Sequence, residues 1–116
     1  MHFLLPFFVS LGLLITMTCL SLGLGFALPP GTQLPIHFDF TGTPDGYASA
    51  WLALSMLPAA TALTTLLFAL GPLADKRIHS RPGRYVALWL FVTLALAIGH
   101  GFIIRGALFA LKAAAG

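Results

Sequence analysis

The chain has 116 residues, of which 59% are hydrophobic and only 8% are charged. Soluble domains carry a charge on about a quarter of their residues and must cover their surface with polar groups, so these figures exclude an ordinary soluble domain. Disordered chains have the opposite balance and the single cysteine excludes an internal disulfide framework, so the composition indicates a protein whose solvent is lipid.

Two long stretches without charged residues are predicted to be transmembrane helices, over about residues 3–28 and 51–73. Each exceeds the roughly 20 residues that cross a hydrocarbon core. A third apolar stretch, over about 85–111, is also long enough, although it contains His100 and Arg105. The predicted fold is an all-α integral membrane domain with three spans, formed by the whole chain.

A cleaved signal peptide is the alternative interpretation of the first stretch, because Gly25, Phe26 and Ala27 resemble a small-x-small cleavage site. The apolar run is about twice as long as a signal-peptide core, and no lysine or arginine precedes it. We therefore expect this segment to be the first membrane helix.

The two connections between the spans differ in charge. Residues 74–84 hold four of the six basic residues, whereas residues 29–50 hold two aspartates and no lysine or arginine. Because cytoplasmic connections are enriched in basic residues, 74–84 is predicted to be cytoplasmic and 29–50 extracytoplasmic. The N-terminus then lies inside and the C-terminus outside a bacterial cytoplasmic (inner) membrane. Aromatic residues typical of membrane interfaces flank the second and third spans: Tyr47, Trp51, Tyr85 and Trp89.

Small residues on the first and third spans are predicted to pack against other helices, since membrane helices associate through close backbone contact at such residues. The candidate packing residues are Gly12, Thr16, Cys19, Gly23, Gly99 and Gly106. Ser21 and Gly25 form a further pair on the first span. We expect these residues to make contacts within the three-helix unit or with a partner, and we expect Pro58 to kink the second span.

The connection over residues 29–50 is much longer than a helical hairpin requires, which predicts an ordered, functional loop. Ile36, Phe38 and Phe40 alternate with polar residues, a pattern typical of a short extended segment, and their apolar face is expected to lie on the helix ends. Residues 41–46 are rich in turn-forming residues and are predicted to form the turn that follows.

The sequences Leu-Pro-Ile-His-Phe at 34–38 and Gly-Thr-Pro-Asp-Gly-Tyr at 42–47 resemble the Pro-x-His-Phe and Gly-x-Pro-Asp-Gly pattern of a domain of unknown function. That domain forms the N-terminal module of SdpI-like membrane proteins, which include bacterial immunity proteins against a secreted peptide toxin. The resemblance covers about half of the chain. The motif positions are Pro35, His37, Phe38, Gly42, Pro44, Asp45 and Gly46.

Two features of the chain depart from that family. Ala50 stands where its members typically have lysine, and full SdpI-like proteins continue into a further multi-helix region that these residues do not contain. The resemblance implies the fold of the N-terminal module. It also implies an alternative function, in which an immunity or signalling protein recognises a toxin or ligand through the outer loop.

The ionisable residues of the third span need an explanation, since such residues are costly in lipid. Arg105 lies about 30 Å along the helix from Tyr85, where it can extend to the headgroups or form an ion pair with Asp39 or Asp45. The spacing of the histidines and aspartates does not require a metal, and no haem attachment motif is present. No cofactor is expected.

No Ser-His-Asp arrangement, phosphate-binding glycine loop or HExxH helix is apparent, and three spans enclose no transport pathway. The leading hypothesis is therefore a non-catalytic membrane protein that acts by helix packing, as an accessory or stabilising subunit of a larger complex. The expected partners are another integral membrane protein or further copies of the chain, within the lipid bilayer. Nucleic acid is not an expected partner, because the positions of the basic residues follow the membrane topology.

Overall fold

The computed structural model describes residues 3–116, which form three long helices, a two-stranded antiparallel sheet and a short 3-10 helix. The elements in chain order are α1 (Leu4–Ala27), β1 (Gln33–Phe38), β2 (Pro44–Ser49), α2 (Ala50–Ala74), the 3-10 helix (Lys76–Ser80) and α3 (Pro82–Ala115). Each of the three α-helices is long and apolar enough to cross a membrane, as predicted. The fold is thus compatible with a multi-pass membrane protein.

The helix bounds differ from the prediction mainly in α3, which begins before the predicted 85–111 span and ends after it. Pro82 occupies the start of the helix, where its fixed φ is favourable and its missing amide hydrogen costs nothing. Lys112 lies in the last turn, where a basic side chain interacts favourably with the helix dipole. Residues 113–115 are alanines, which favour the helix strongly, so α3 continues beyond the apolar run.

The connection between α1 and α2 contains a β-hairpin, which the prediction of an all-α fold omitted. The strand β1 overlaps the predicted extended segment, but residues 44–46 belong to β2 and not to the turn. Residues 39–43 make the turn, because the Asp39 carboxylate accepts hydrogen bonds from it and Gly42 adopts a φ of 87°.

The hairpin packs on the ends of α2 and α3 through Leu34, which is fully buried. Of the predicted apolar face only Ile36 packs against the core, and it is partly buried, whereas Phe38 and Phe40 are exposed. Phe40 lies outside both strands, so the two-residue alternation of β1 does not extend to it. Small and branched side chains form the core at this end: Leu28, Leu34, Ala48, Ala50, Ala53, Leu54, Ile103 and Ala107.

Each long helix contacts the other two. The buried residues of α1 include Ser10, Met17, Ser21 and Gly25, whose spacings of four or seven residues place them on one face. Much of the remaining helix surface consists of exposed large apolar side chains. Such extensive exposed apolar surface is expected where lipid, and not the protein itself, covers the helices.

Candidate functional site

The turn of the hairpin is organised around Asp39. Its Oδ1 accepts hydrogen bonds from the Thr41 amide at 2.9 Å, the Thr41 hydroxyl at 2.5 Å and the Thr43 amide at 3.0 Å. The Thr41 hydroxyl and then the Thr43 amide lower the pKa of the Asp39 carboxyl, because these bonds stabilise its ionised form. This carboxylate therefore serves the local turn.

Two motif residues meet across the hairpin, where His37 Nδ1 and Asp45 Oδ1 lie 2.5 Å apart. Their side chains are 73% and 46% exposed, so the pair lies on the surface. In the strand register His37 is opposite Gly46, and a Cβ added at that glycine would lie 3.1 Å from the His37 Cβ. Glycine at this motif position gives the histidine room beside the neighbouring strand.

The predicted ion pair of Arg105 with Asp39 or Asp45 is not formed within the described part of the chain. Both carboxylates have nearer partners inside the hairpin. The Arg105 guanidinium instead lies over the ring of Phe109, 5.2 Å from its centroid. Over residues 3–116, no group of three or more His, Cys, Asp or Glu side chains is arranged to hold a metal ion.

His100 is buried between the helices. It belongs to a set of hydrogen bonds around a backbone carbonyl that Pro58 leaves without its helical donor. Pro58 has no amide hydrogen, so the Leu54 carbonyl one turn earlier lacks its usual helical donor. The Ser21 hydroxyl of α1 donates to that carbonyl at 2.7 Å. Because this hydroxyl has one hydrogen, the 2.7 Å contact between Ser21 Oγ and His100 Nε2 requires the imidazole nitrogen to donate. His100 is thereby linked to α1 and, through Ser21, to α2.

The carbonyl freed by the second proline of α2 is also hydrogen-bonded by a neighbouring helix. Pro72 leaves the Phe68 carbonyl without its helical donor, and the Tyr85 hydroxyl of α3 donates to it at 2.5 Å. A Cβ at Gly71 would collide with the Tyr85 hydroxyl oxygen, so this glycine is required for the approach. The two carbonyls are therefore satisfied from two different helices.

A further set of interior polar side chains joins α1 to α3. The Trp89 indole N–H donates to Ser10 Oγ at 2.8 Å, and the Ser10 and Thr93 hydroxyls lie 3.1 Å apart. The side chain of Trp89 is fully buried among the helices and so contacts protein, whereas its level relative to the headgroups stays a prediction. Its N–H explains the burial of Ser10, since a buried indole needs an acceptor.

The interior roles of Ser10, Thr61 and Thr93 were not predicted from the sequence. The Thr61 hydroxyl contacts the Met17 sulfur at 3.7 Å, between α2 and α1. The signal that identifies such residues is the spacing of polar residues in an apolar helix. Thr93 and His100 are two turns apart on α3 and therefore share a face, which is the pattern expected of polar contacts between membrane helices.

The candidate packing residues of α1 lie on the side of the helix opposite its buried face. At about 100° per residue, Gly12, Thr16, Cys19 and Gly23 cluster roughly 180° from Ser10. A Cβ added at Gly12 or Gly23 has no neighbour within 4 Å, and Thr16 and Cys19 are exposed. The expectation that these residues pack within the three-helix unit is wrong. We call this surface the α1 small-residue face.

The candidate glycines of α3 do lie at internal contacts. A Cβ at Gly99 would lie 3.2 Å from a Leu57 side-chain atom of α2, and one at Gly106 would lie 3.4 Å from the Pro35 ring of β1. Gly106 therefore brings a motif residue of the hairpin close to α3.

The connection between α2 and α3 concentrates positive charge. Asp75 Oδ2 accepts a hydrogen bond from Arg77 Nη2 at 3.0 Å, and the hydrogen bonds from Arg77 lower the pKa of the Asp75 carboxyl. Lys76, Arg81 and Arg84 are exposed and lie near this pair in sequence. This segment contains one carboxylate and four basic side chains, so its net charge is positive.

Comparison with known proteins finds a similarity for part of the chain. Residues 12–62 match the family model of a domain of unknown function (DUF1648). The match includes most of α1, the hairpin and half of α2, and it covers somewhat less than half of the chain. The resemblance to a domain of unknown function is confirmed for these residues, whereas a relationship to SdpI-like proteins stays a prediction. No curated protein and no solved structure matches the chain.

Proposed function

We propose that this protein is a non-catalytic integral membrane protein that acts by helix packing, as an accessory or stabilising subunit of a larger membrane complex. The observation that carries the proposal is the α1 small-residue face, which is open along its length. Lipid chains contact large and small apolar side chains equally well, whereas close approach of a second helix requires small side chains.

The polar groups of this face are satisfied within α1, which makes it suited to an apolar partner. The Thr16 hydroxyl donates to the Gly12 carbonyl at 2.9 Å. A partner helix therefore meets a shallow surface whose hydroxyl group is already hydrogen-bonded, and desolvation of the threonine adds little cost.

The charge distribution supports a location in a bacterial cytoplasmic membrane with the basic connection inside. The exposed Lys76, Arg81 and Arg84 lie at that end, whereas the hairpin contains Asp39 and Asp45 and no lysine or arginine. In this orientation the hairpin is extracytoplasmic and the α1 small-residue face lies within the lipid.

Enlarging the glycines of the face tests the proposal. Gly12→Leu and Gly23→Leu are expected to abolish co-purification of a tagged chain with its membrane partner in mild detergent, because leucine holds the helices apart. The thermal stability of the chain itself should not change, since a Cβ at either position meets no neighbour. The matched control is Gly101→Leu, at an exposed glycine of α3 that also has open space.

Oxidative cross-linking distinguishes the two kinds of partner, because Cys19 is exposed on the proposed face. A disulfide-linked dimer of the chain identifies a second copy, whereas a second protein that co-purifies with the chain and no such dimer identifies a different membrane protein. Recovery of the wild-type chain only as a free monomer contradicts the proposal. So does a Gly101→Leu variant that loses its partner as completely as Gly12→Leu.

The second candidate function is that of an SdpI-like immunity or signalling protein that recognises a toxin or ligand through the hairpin. The exposed pair of His37 and Asp45, which lies among the motif residues, favours it. In a bacterial strain challenged with a secreted peptide toxin, His37→Ala should reduce resistance, whereas Gln33→Ala, at an exposed position outside the motif, should not. Equal resistance with and without expression of the chain removes this candidate.

A further inference from the structure

A groove of about 710 Å³ opens between the hairpin, α2 and α3, on a different surface from the α1 small-residue face. Its volume lies within the range of about 300–1,000 Å³ that is typical of ligand sites. The walls are mainly apolar and include Ile36, Phe38, Met56, Leu57 and Phe102. We call this space the hairpin groove.

Arg105 lines the hairpin groove and is the one charged side chain among its lining residues. The chain contains three acidic residues, and each has another partner: Asp39 binds the turn donors, Asp45 binds His37 and Asp75 binds Arg77. The charge of Arg105 is thus not neutralised by a carboxylate of the chain. A guanidinium beside an apolar groove is complementary to an anion that carries an apolar chain.

The position of Arg105 along α3 fits the headgroup of a lipid. It lies 20 residues beyond Tyr85, which corresponds to about 30 Å of helix, the thickness of a hydrocarbon core. Trp51, at the start of α2 on the same end of the molecule, is partly exposed, as is typical of an interfacial aromatic residue. The apolar part of the groove continues from Arg105 to Gly99, about 9 Å deeper along the helix.

We infer that the hairpin groove binds an anionic phospholipid, with its phosphate on the Arg105 guanidinium and an acyl chain along Met56, Leu57 and Phe102. Guanidinium groups bind phosphate oxygens through paired hydrogen bonds, and stacking on Phe109 restricts the Arg105 side chain. This inference does not depend on the proposed packing of α1, because no residue of α1 lines the groove.

The test uses the full chain reconstituted in vesicles of equal parts phosphatidylglycerol and phosphatidylcholine, then extracted into mild detergent. Native mass spectrometry measures which lipid stays bound. The wild-type chain should retain phosphatidylglycerol in preference to phosphatidylcholine, and Arg105→Gln should reduce that preference about tenfold, the order expected for one charge-assisted contact. Arg105→Lys should keep part of it, since lysine retains the charge without the planar fork.

Two further variants separate groove binding from general attraction of anionic lipid. Lys112→Gln removes a basic residue from the same helix, two turns beyond Arg105 and outside the groove lining, and should leave the preference unchanged. Met56→Trp fills the groove and should reduce retention of both lipids without lowering thermal stability, because Met56 is exposed.

Three results overturn the inference. An Arg105→Gln variant with the same lipid preference as the wild type shows that the guanidinium does not bind the phosphate. An equal loss in Lys112→Gln identifies general surface attraction. Disulfide-linked dimers of a Met56→Cys, Cys19→Ser variant in these vesicles place a second copy of the chain in the groove.

Discussion

Replacing Ser21 with alanine removes one hydroxyl that has two buried partners. The Leu54 carbonyl, freed by Pro58, loses its donor, and His100 Nε2 loses its acceptor, each at 2.7 Å in the wild-type protein. An unsatisfied buried polar group costs about 1–3 kcal/mol, and interhelical hydrogen bonds in membranes contribute about 0.6 kcal/mol on average and 1.7 at most. With two partners lost, the free energy of unfolding should fall by about 2 kcal/mol.

The role of the proline can be isolated with a double-mutant cycle. In a Pro58→Ala background the new amide hydrogen bonds the Leu54 carbonyl, so Ser21→Ala then loses only the His100 contact and should cost about 1 kcal/mol. The cavity left by the proline ring is present in both arms of the cycle and cancels. The difference between the two backgrounds therefore measures the hydrogen bond to the freed carbonyl.

Unfolding by a denaturing detergent, titrated against mixed micelles, provides the free energies. Ser55→Ala is the matched control, because Ser55 is exposed and its hydroxyl bonds only the Leu52 carbonyl of its own helix. Its cost should stay within about 0.5 kcal/mol. An equal cost of Ser21→Ala with and without Pro58 would refute the reasoning, since the freed carbonyl would then make no contribution.

Two more predictions follow from the contacts of α2 and the hairpin. Tyr85→Phe removes the donor to the Phe68 carbonyl and should lower the free energy of unfolding by about 1 kcal/mol in the same titration, against no change in the exposed Tyr47→Phe control. Equal effects in the two variants exclude that hydrogen bond as a source of stability. The turn lowers the pKa of Asp39 in the folded protein. The ionised carboxylate therefore stabilises the turn fully above its ordinary pKa of about 4, and this stabilisation is lost as the pH falls through the lower pKa of the folded state. Protection of the turn amides from hydrogen exchange, corrected for the intrinsic pH dependence of exchange, should therefore fall on acidification in the wild type and not in Asp39→Asn; the same loss of protection in both assigns the effect to another group.

The three helices could be predicted because about 20 or more uncharged, mainly apolar residues in a row are sufficient to identify a span. The end of α3 could not, since it depends on Lys112 and the following alanines, which favour helix without being part of the apolar run. Helix existence follows from solvent preference, whereas helix length also depends on capping and local propensity.

The hairpin could be predicted only in part. Pro44 and Gly46 are turn-forming residues by type, yet both lie in β2. Their position follows from Asp39, whose carboxylate collects the turn donors earlier in the chain. The chain reverses where the Asp39 carboxylate, and not a backbone carbonyl, accepts the hydrogen bonds of the turn amides. The number of turn-forming residues in a segment does not reveal this position.

The candidate sites could not be predicted fully, because which residues meet depends on how each helix is rotated about its axis. Ser21 and His100 are 79 residues apart in sequence, and their contact exists only because both faces point inward. The outward direction of Gly12 follows from the same rotation. Small residues alone did not distinguish the two faces of α1, whereas the spacing of its serines, Ser10 and Ser21, follows the buried one.

The two prolines of α2 have a consequence for the order in which the protein is made. The chain emerges from the ribosome from its N-terminus, so Ser21 is already available when Leu54 and Pro58 enter the bilayer. The Phe68 carbonyl, by contrast, waits until Tyr85 has been synthesised. Until then the Phe68 carbonyl has no Tyr85 hydroxyl to bond, so this hydrogen bond of α2 forms only once the start of α3 has been made.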